Sequence, residues 1–423
     1  MKKIVLSLAG VMAAVAFAPE ATAVPVFARQ TGMACSACHF QHFPMLNGFG
    51  RAFKANGFSM VGSQEKVEGE HLSIPSTLNM AVLTSTYYQR ESKDTSGLNA
   101  KPSKWGVPGS GGELSIFYGG RIADGAGFLS EFAAGESATG AAKLAMMFPV
   151  GDANVGIVAY TGGQGAAYSF ELLNTGAADT QKLMGNAGPN KQHVAATSAA
   201  SWLGARTNAT GVSAVVNSDM GFAVLSKFAP AGPNTSKASD LPLSYVRAAA
   251  IFDMQGWDSA VGFQNFSGTA DSLGLGLSSY KATIIDAQAQ GEVNGMALGV
   301  YASYGTAPTD VNGNNLAGGW STLQKTGAIA AATSGTGANS LNVAASLELI
   351  PGVATVQGGM RFATLKTTGG DLKDNAFMIG GTYELAQNIE LGLNYTSQSG
   401  TAWDANPTAV GKSVATALLE VLF

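Results

Sequence analysis

The segment Tyr383-Glu-Leu-Ala-Gln-Asn-Ile-Glu-Leu-Gly-Leu-Asn-Tyr395 shows the pattern that decides the fold of this 423-residue chain. Apolar side chains alternate with two glutamates and an asparagine on the two sides of a short turn at residues 386–388. Alternation with a period of two predicts a β-hairpin that has one apolar and one polar face. Similar alternation recurs from about residue 76 to the C-terminus, so most of the chain is predicted to be β-structure.

The composition favours a membrane barrel over a soluble enzyme. The chain contains 55 glycines, 46% hydrophobic residues and only 12% charged residues. After residue 23, no apolar run is long enough for a membrane-spanning helix. A transmembrane β-barrel fits these observations, because its strands alternate apolar outward and polar inward over about 10 residues. The formal net charge of −4 gives no electrostatic reason to expect nucleic-acid binding.

The alternation predicts an antiparallel barrel of about 16 strands. An even count returns the C-terminus to the end of the barrel where the first strand starts. The final strand ends in Phe423, which resembles the C-terminal signal of bacterial outer-membrane barrels. Short turns alternate with long polar stretches, as expected for periplasmic turns and extracellular loops. These stretches are residues 91–112, 162–208, 230–243, 305–338 and 399–411. The second stretch leaves room for two more strands, so 18 is the alternative count.

A barrel of this size is wide enough to contain an aqueous lumen. The alternation places nine charged side chains on its inner face, where the simplest role for most of them is to keep the interior wet. These residues are Glu113, Arg121, Glu131, Arg247, Glu348, Arg361, Glu384, Glu390 and Glu420.

Residues 1–23 are predicted to be a secretory signal peptide. They combine a basic start, an apolar stretch over residues 5–18 and the small-residue cleavage site Ala21-Thr-Ala23. A retained membrane anchor is the alternative, but the apolar stretch is short for a spanning helix. Residues 24–62 then form a compact cytochrome unit, residues 63–75 a polar linker and residues 76–423 the barrel. Export would place the cysteines in a compartment where they can be oxidised.

The segment Cys35-Ser-Ala-Cys38-His39 contains the only two cysteines of the chain. Their spacing is that of a c-type haem attachment site. Each thiol is expected to bond to one vinyl group of the haem, and His39 to ligate the iron as the proximal ligand. A structural disulfide or a thioredoxin-like pair is the alternative, but no βαβ pattern surrounds the cysteines and neither alternative needs the histidine. We therefore expect one covalently bound haem c, held by Cys35, Cys38 and His39.

The second axial ligand of the iron is not determined by the motif, and a five-coordinate iron is also open. Methionine opposite histidine is common in cytochromes c, and Met60 is far enough from His39 along the chain to fold back across the haem. Met60 is therefore the predicted distal ligand, and several phenylalanines of the same unit are expected to wrap the haem. A short helix after His39 would place His42 and Met45 on the same side of the haem as His39. The full set of candidates is Met33, His42, Met45, Met60, His71 and Met80.

The run Val24-Pro-Val-Phe-Ala-Arg-Gln-Thr-Gly-Met-Ala-Cys-Ser-Ala-Cys-His39, with its continuation through Pro44, Leu46-Asn-Gly-Phe-Gly-Arg51 and Phe53 to Phe58, resembles the fused monohaem cytochrome–porins of iron-oxidising bacteria. In that family a short N-terminal cytochrome precedes an outer-membrane barrel, and the protein is an Fe(II) oxidase at the cell surface. The resemblance is detailed only over residues 24–60. Only Cys35, Cys38 and His39 carry over as functional residues.

The resemblance implies an outer-membrane protein in contact with lipid that oxidises extracellular Fe(II). The electron would pass through the haem, located toward the periplasm or inside the barrel, to a soluble periplasmic c-type cytochrome. Two alternatives remain, a haem-plugged porin or transport channel and an electron conduit for another donor or acceptor. The sequence shows no acid–base or nucleophilic constellation of a soluble enzyme, and no catalytic residue is assigned. Acidic residues that could steer Fe(II) at the predicted outer loops are Glu91, Asp94, Asp240, Asp310 and Asp371.

Overall fold

A computed structural model of the chain describes residues 25–60, 62, 64–91, 103–135, 139–162, 165–176, 199–205, 208–230, 240–271, 277–308, 335–404 and 412–423. The predicted signal peptide lies outside the described residues, as do Asp94, Asp310 and the greater part of the predicted loops 162–208 and 305–338.

Three short helices begin the described chain: α1 Pro25–Thr31, α2 Cys35–Cys38 and α3 Gly48–Ala55. The predicted linker contains an antiparallel hairpin of β1 Lys66–Gly69 and β2 Leu72–Pro75. None of the helices in these described ranges is long and apolar enough to cross a membrane.

The remaining strands form a closed barrel. In chain order they are β3 Met80–Glu91, β4 Ser103–Pro108, β5 Gly111–Gly112, β6 Leu114–Ala123, β7 Ala126–Ala133, β8 Thr139–Val150, β9 Ala153–Gly162, β10 Ala209–Ser218, β11 Gly221–Pro230, β12 Leu243–Met254, β13 Trp257–Asp271, β14 Leu277–Ser279, β15 Ala282–Val293, β16 Met296–Pro308, β17 Gly335–Ile350, β18 Ala354–Thr367, β19 Leu372–Ala386, β20 Ile389–Ser399 and β21 Ser413–Leu422. Among the described residues, sixteen of these strands make the antiparallel wall, and the short β4, β5 and β14 extend it at one end.

The last strand closes the barrel on the first strand of the wall. β21 pairs antiparallel with β3, from Val414 opposite Glu91 to Leu422 opposite Leu83. The terminal Phe423 exchanges backbone hydrogen bonds with Val82, with N···O distances of 2.7 and 3.0 Å. The predicted all-β barrel and its count of sixteen strands are confirmed. The prediction that residues 91–112 are loop is wrong in part, because residues 103–108 form β4, of which residues 103–106 pair with β3.

The two faces of the wall differ as the alternation predicts. Leu225, Ile285 and Leu393 point outward and are 54–60% exposed. Inward positions of the same wall hold buried polar side chains such as Gln264 and Asn342. This arrangement suits a barrel surrounded by lipid, because the apolar face then leaves water and the polar face does not.

Short turns and long connections lie at opposite ends of the barrel, which we call the short-turn end and the long-loop end. The tight turns include those after β15 and β17, where Gly295 and Gly352 have φ values of +78° and +68°. Side-chain-bearing residues rarely adopt this left-handed conformation, so glycine permits these turns. The tight turns set the register of each hairpin.

The interior at the long-loop end is packed with apolar side chains, where the sequence predicted an aqueous lumen. Two short helices, α4 Ala199–Trp202 and α5 Thr401–Asp404, lie inside the barrel together with a 3₁₀ turn at Ala166–Tyr168. Their side chains bury against inward residues of the wall such as Phe228 and Ile284. Connections that fold inward and bury apolar surface replace water at this end.

Candidate functional site

The cysteine motif forms a single helical turn. Cys35 and Cys38 lie at the two ends of α2, and both thiols are free and half-buried. The turn ends at His39, whose backbone is extended with φ −109° and whose N–H donates to the Cys35 carbonyl at 2.9 Å. The spacing of the motif therefore gives two separated thiols followed at once by the histidine.

Residues 39–47 reverse the chain in a tight loop, and no short helix directly follows His39. His39 and Leu46 form an isolated antiparallel bridge. The Phe40 N–H donates to the Met45 carbonyl at 2.9 Å, and the Asn47 N–H donates to the Cys38 carbonyl at 3.1 Å. These bonds bring the Met45 carbonyl back to His39, at the start of the loop.

The ring of His39 is oriented by a hydrogen bond to this carbonyl. The distance from His39 Nδ1 to Met45 O is 3.0 Å. A carbonyl can only accept, so Nδ1 carries the proton and Nε2 keeps its lone pair. Burial lowers the pKa of His39 to about 4, although the bond to Met45 acts in the opposite direction. The imidazole is therefore neutral near pH 7, as an iron ligand must be.

Asn47 joins the cysteine turn to α3. Its Oδ1 accepts from the Gly50 N–H at 2.9 Å and caps the helix. Its Nδ2 donates to the carbonyl of Ala37 at 3.0 Å. A Cβ at position 50 would lie 2.0 Å from the Cys38 carbonyl oxygen, so only glycine permits this contact. Sequence reasoning missed this role, although an asparagine before a helical segment is a recognisable capping signal.

The thiols are not poised for thiolate chemistry. Burial and, to a smaller extent, the negative charge of Glu384 raise the pKa of Cys35 to about 12. Burial also raises the pKa of Cys38. Redox-active cysteine pairs depend on a lowered thiol pKa, so this environment disfavours the thioredoxin-like alternative.

The segment of residues 25–60 lies inside the barrel at the short-turn end. Gln41 Nε2 donates to the carbonyls of Ala297 at 2.8 Å and Ser346 at 2.9 Å, on two adjacent strands. Asn217 Nδ2, on β10, donates to the Ala55 carbonyl at 3.2 Å. Contacts on several sides of the wall, each near a short turn, hold the segment in the mouth of the barrel.

The phenylalanines of the segment serve mainly to dock it. Phe27 stacks on Phe58 with ring centroids 5.0 Å apart and meets Phe53 edge-on at 5.2 Å. These rings pack against the wall in one apolar cluster. The Phe43 ring lies 5.4 Å from the His39 ring, whereas Phe49 is 43% exposed. Of the predicted haem-wrapping residues, Phe43 is the one whose ring contacts the candidate ligand.

The two distal-ligand candidates nearest to His39 in the sequence have partners within the protein. Met45 is fully buried against Tyr301 and Met378 of the wall, so packing accounts for its side chain. His42 Nδ1 lies 2.7 Å from the Phe43 carbonyl.

The remaining candidates differ in exposure. His71 lies in the exposed β1–β2 turn, and Met80 is 37% exposed on β3. Met33 and Met60 are both half-buried, and the Met60 N–H donates to Gln64 Oε1 at 2.7 Å. Met60 as distal ligand therefore stays a prediction.

A segment of the β9–β10 connection, residues 165–176, reaches down to the cysteine unit. Asn174 Oδ1 accepts from the Leu46 N–H at 3.0 Å, and Asn174 Nδ2 donates to the Leu46 carbonyl at 3.1 Å. The Asn174 N–H donates to Gln288 Oε1 of the wall at 2.6 Å. No local sequence pattern announces this contact, because it joins residues that are far apart in the chain.

A buried ion cluster fixes the same segment to the wall. The fully buried guanidinium of Arg247 binds Glu171 through Nε at 3.0 Å and Asp286 through Nη1 at 2.7 Å. Thr175 Oγ1 donates to Asp286 at 2.6 Å. Arg247 faces the interior as the alternation predicted, but its role is to anchor a connection.

One carboxylate holds both inward helices at the long-loop end. Asp374 accepts the indole N–H of Trp202 at 2.8 Å and that of Trp403 at 2.9 Å. Arg361 Nη2 binds the same carboxylate at 2.7 Å. Of the predicted steering acids, Glu91 is buried and paired with Lys104 at 2.6 Å, so it is not placed to attract Fe(II). Asp371 and Asp240 are exposed.

The residues of the site fit a covalently attached haem. Two free thiols flank one helical turn, and the neutral histidine presents its Nε2 lone pair, which is the donor set of a c-type attachment site. Within the described ranges, no group of three or more His, Cys, Asp or Glu side chains is arranged to hold a bare metal ion.

Comparison with solved structures shows the fold. The chain is similar to OmpTdeltaL8, a loop deletion mutant of OmpT, an outer membrane protein of Vibrio cholerae, with a TM-score of 0.50 and 9% identity over 82% of this chain and 99% of that one. In vitro folded OmpT in its trimer form gives a TM-score of 0.48, also with 9% identity over 82% and 99% of the two chains. A mutant of the Rh. blastica porin gives 0.44, with 14% identity over 82% and 100%. No protein-family model matches the chain. No curated protein matches it either. The chain therefore has the closed antiparallel barrel fold seen in porin-like outer-membrane proteins.

Proposed function

We propose that this protein is an outer-membrane cytochrome–porin that oxidises extracellular Fe(II) and passes the electron to a soluble periplasmic c-type cytochrome. Its resident cofactor would be one haem c, bound through Cys35 and Cys38 with His39 on the iron. The observation that carries the proposal is the His39 ring, held by Met45 with Nε2 available, inside the mouth of a closed barrel. The apolar outer face and the porin-like fold support a location in the outer membrane.

When bound, the haem supplies a one-electron carrier between Fe(II) and the periplasmic acceptor. The protein supplies the orientation and the surroundings. Met45 sets the tautomer of His39, and Asn47 keeps the cysteine turn against α3. Phe27 and Phe58 pack the segment against the wall and keep water from one side of it. The barrel replaces lipid around the segment, so a single cofactor does not have to cross the bilayer.

The experiment uses the full chain, exported and purified in detergent. The mature protein should carry the added mass of one haem and should show a reduced α-band within seconds of adding Fe(II) under anoxic conditions. Cys35→Ala and Cys38→Ala variants should each keep fewer thioether bonds, whereas Ser36→Ala serves as a matched control in the same turn. A folded mature protein without haem would refute the cofactor. Haem that Fe(II) leaves oxidised would refute the iron oxidation but not the cofactor.

A second candidate function is a haem-plugged transport channel, and the porin-like barrel favours it. Planar-bilayer conductance separates the two. The packed interior at the long-loop end predicts that the full chain shows no stable open pore, and that deletion of residues 25–60 alone does not open one. A large steady conductance of the full chain would favour the channel. Reduction of the haem by a different donor, with no response to Fe(II), would favour the third possibility, a conduit for another substrate.

A further inference from the structure

We propose that Arg51 binds a propionate group of the haem. This inference rests on the proposed haem attachment but adds a ligand-binding residue that the attachment motif does not contain. Arg51 lies in α3, immediately after Gly50, whose close contact with the Cys38 carbonyl packs α3 on the cysteine turn. A group bonded to Cys38 is therefore a near neighbour of this helix.

The side chain of Arg51 is anchored at one nitrogen. Nη2 donates to Asp258 Oδ2 of β13 at 2.5 Å, and the Arg51 side chain is only 7% exposed. This ion pair connects the segment to the wall of the barrel. It also fixes the plane of the guanidinium and thereby the directions of its other N–H groups.

Two nitrogens of the same guanidinium have no partner. Nε and Nη1 are buried and make no hydrogen bond with any described residue. An arginine side chain stays protonated in proteins, and a buried charged donor without an acceptor is costly. Arg247, a fully buried interior arginine, makes four hydrogen bonds to Glu171 and Asp286. The difference indicates that Arg51 has an acceptor that is not part of the protein chain.

A carboxylate is the acceptor that this geometry suits best. Nε and Nη1 lie on different edges of the guanidinium, and each offers a carboxylate oxygen a charge-assisted N–H donor. The group brought next to α3 by thioether bonds is a porphyrin, whose ionised substituents are its two propionates. Arg51 would thus bind the haem at its edge, while the cysteines and His39 bind its vinyl groups and its iron.

The test uses the purified haem-loaded full chain with three variants. Arg51→Gln removes the positive charge and the guanidinium N–H donors. Arg51→Lys keeps the charge but removes the planar guanidinium. Arg29→Gln is the control. Arg29 belongs to the same segment but is exposed and bonds the Met80 carbonyl through Nε. The readouts are the resonance Raman propionate-bending band, its shift in D₂O, and the haem reduction potential.

We expect the propionate band of the wild-type protein to shift in D₂O and to move in both Arg51 variants. Arg51→Gln should lower the equilibrium constant for haem reduction about tenfold, equal to 59 mV for one electron, because loss of a cation stabilises the oxidised iron. Arg51→Lys should change it less than threefold, and Arg29→Gln should change neither readout.

A propionate band that is insensitive to D₂O in the wild-type protein, or one that is unchanged in Arg51→Lys, would overturn the proposal, because the propionate would then accept no hydrogen bond from the Arg51 guanidinium. The wild-type measurement keeps the test decisive if a variant does not fold. Evidence against the Arg51–propionate contact would leave the proposed function intact, since haem would still be attached and reducible. Absence of haem from the wild-type protein would instead refute the proposed function and this inference together.

Discussion

Asn174 and Leu46 are joined by two hydrogen bonds, one in each direction, although 128 residues separate them in the sequence. Leu46 follows Met45, whose carbonyl orients His39. A connection that enters from the long-loop end of the barrel therefore helps to position the candidate proximal ligand near the short-turn end. The contact between Asn174 and Leu46 therefore connects the long-loop end of the barrel with the short-turn end.

Replacement of Asn174 by alanine should loosen the loop of residues 39–47. Both hydrogen bonds to Leu46 would be lost, and each contributes about 1 kcal/mol. We expect amide exchange at Leu46 to accelerate roughly 10- to 30-fold, measured by hydrogen–deuterium exchange mass spectrometry of the folded barrel. Asn265→Ala is a matched control, because Asn265 bonds only Thr283 of the neighbouring strand among the contacts described. Equal exchange rates in Asn174→Ala and the wild-type protein would contradict the role of this contact.

Two glycines of α3 should respond differently to alanine. At position 50 the added Cβ would meet the Cys38 carbonyl oxygen at 2.0 Å, whereas at position 48 it would lie 3.5 Å from Asp258 Oδ2. Gly50→Ala should therefore displace the helix at a cost of about 1–3 kcal/mol, and Gly48→Ala should be nearly neutral. Limited proteolysis of the segment of residues 25–60 measures the effect. Similar cleavage of the two variants would show that the close contact is not required.

Asp374 should be a major stabilising residue of the long-loop end. Its replacement by alanine removes the carboxylate from Arg361 and from two indole N–H groups. Breaking a buried ion pair from one side costs about 3–5 kcal/mol. We expect the free energy of unfolding in detergent to fall by that amount, with a red shift of tryptophan emission in the folded state. Asp371→Ala, at an exposed position nearby, is the control and should leave both measurements near the wild-type values.

Lys54 should make the stability of the chain depend on pH. Burial lowers its pKa to about 8, and the negative charge of Glu171 offsets part of this shift. Since the unfolded chain binds this proton up to about pH 10.5, stability should rise as the pH increases from 8 to 10.5 and be lowest below that window.

Lys54→Met should therefore stabilise the protein at pH 7 and have little effect at pH 11. The gain is at most about 3 kcal/mol, less the share that solvent around the half-buried side chain screens. Chemical denaturation at the two pH values measures it. Lys227→Met, at an exposed position on β11, is the control and should give the same small change at both pH values. A Lys54→Met variant that is less stable at pH 7 would contradict the predicted sign.

The barrel could be predicted from local patterns, and the interior could not. The hairpin of residues 383–395 was predicted from alternation and a polar turn, and it is found as β19 and β20 with their turn at residues 387–388. Period-two alternation acts within a few residues, so it specifies which face of each strand is buried. The open lumen was inferred from strand number alone, and the inward packing of Trp202 and Trp403 corrects it.

The candidate site likewise contains some residues that a local pattern predicts and others that only the folded structure brings together. Cys35, Cys38 and His39 could be found because covalent attachment requires a fixed spacing of neighbouring residues. Met45 was considered as an iron ligand, but its side chain packs against the wall and its backbone carbonyl holds His39. Arg51 was quoted only as part of a resembling run, because its burial and its unpaired nitrogens appear only once α3 is docked against Asp258.

By itself, the sequence determined the alternating strands, their even number and the order of thiols and imidazole in the N-terminal unit. Each of these depends on residues close together in the chain, where covalent geometry restricts the outcome. Only the tertiary structure decided that the unit sits in the short-turn mouth, that Asn174 holds Leu46, and that Asp374 joins two indoles. Those contacts form between residues that are far apart in the chain. The hydrophobic effect that brings them together is non-directional, so no local sequence pattern specifies which surfaces meet.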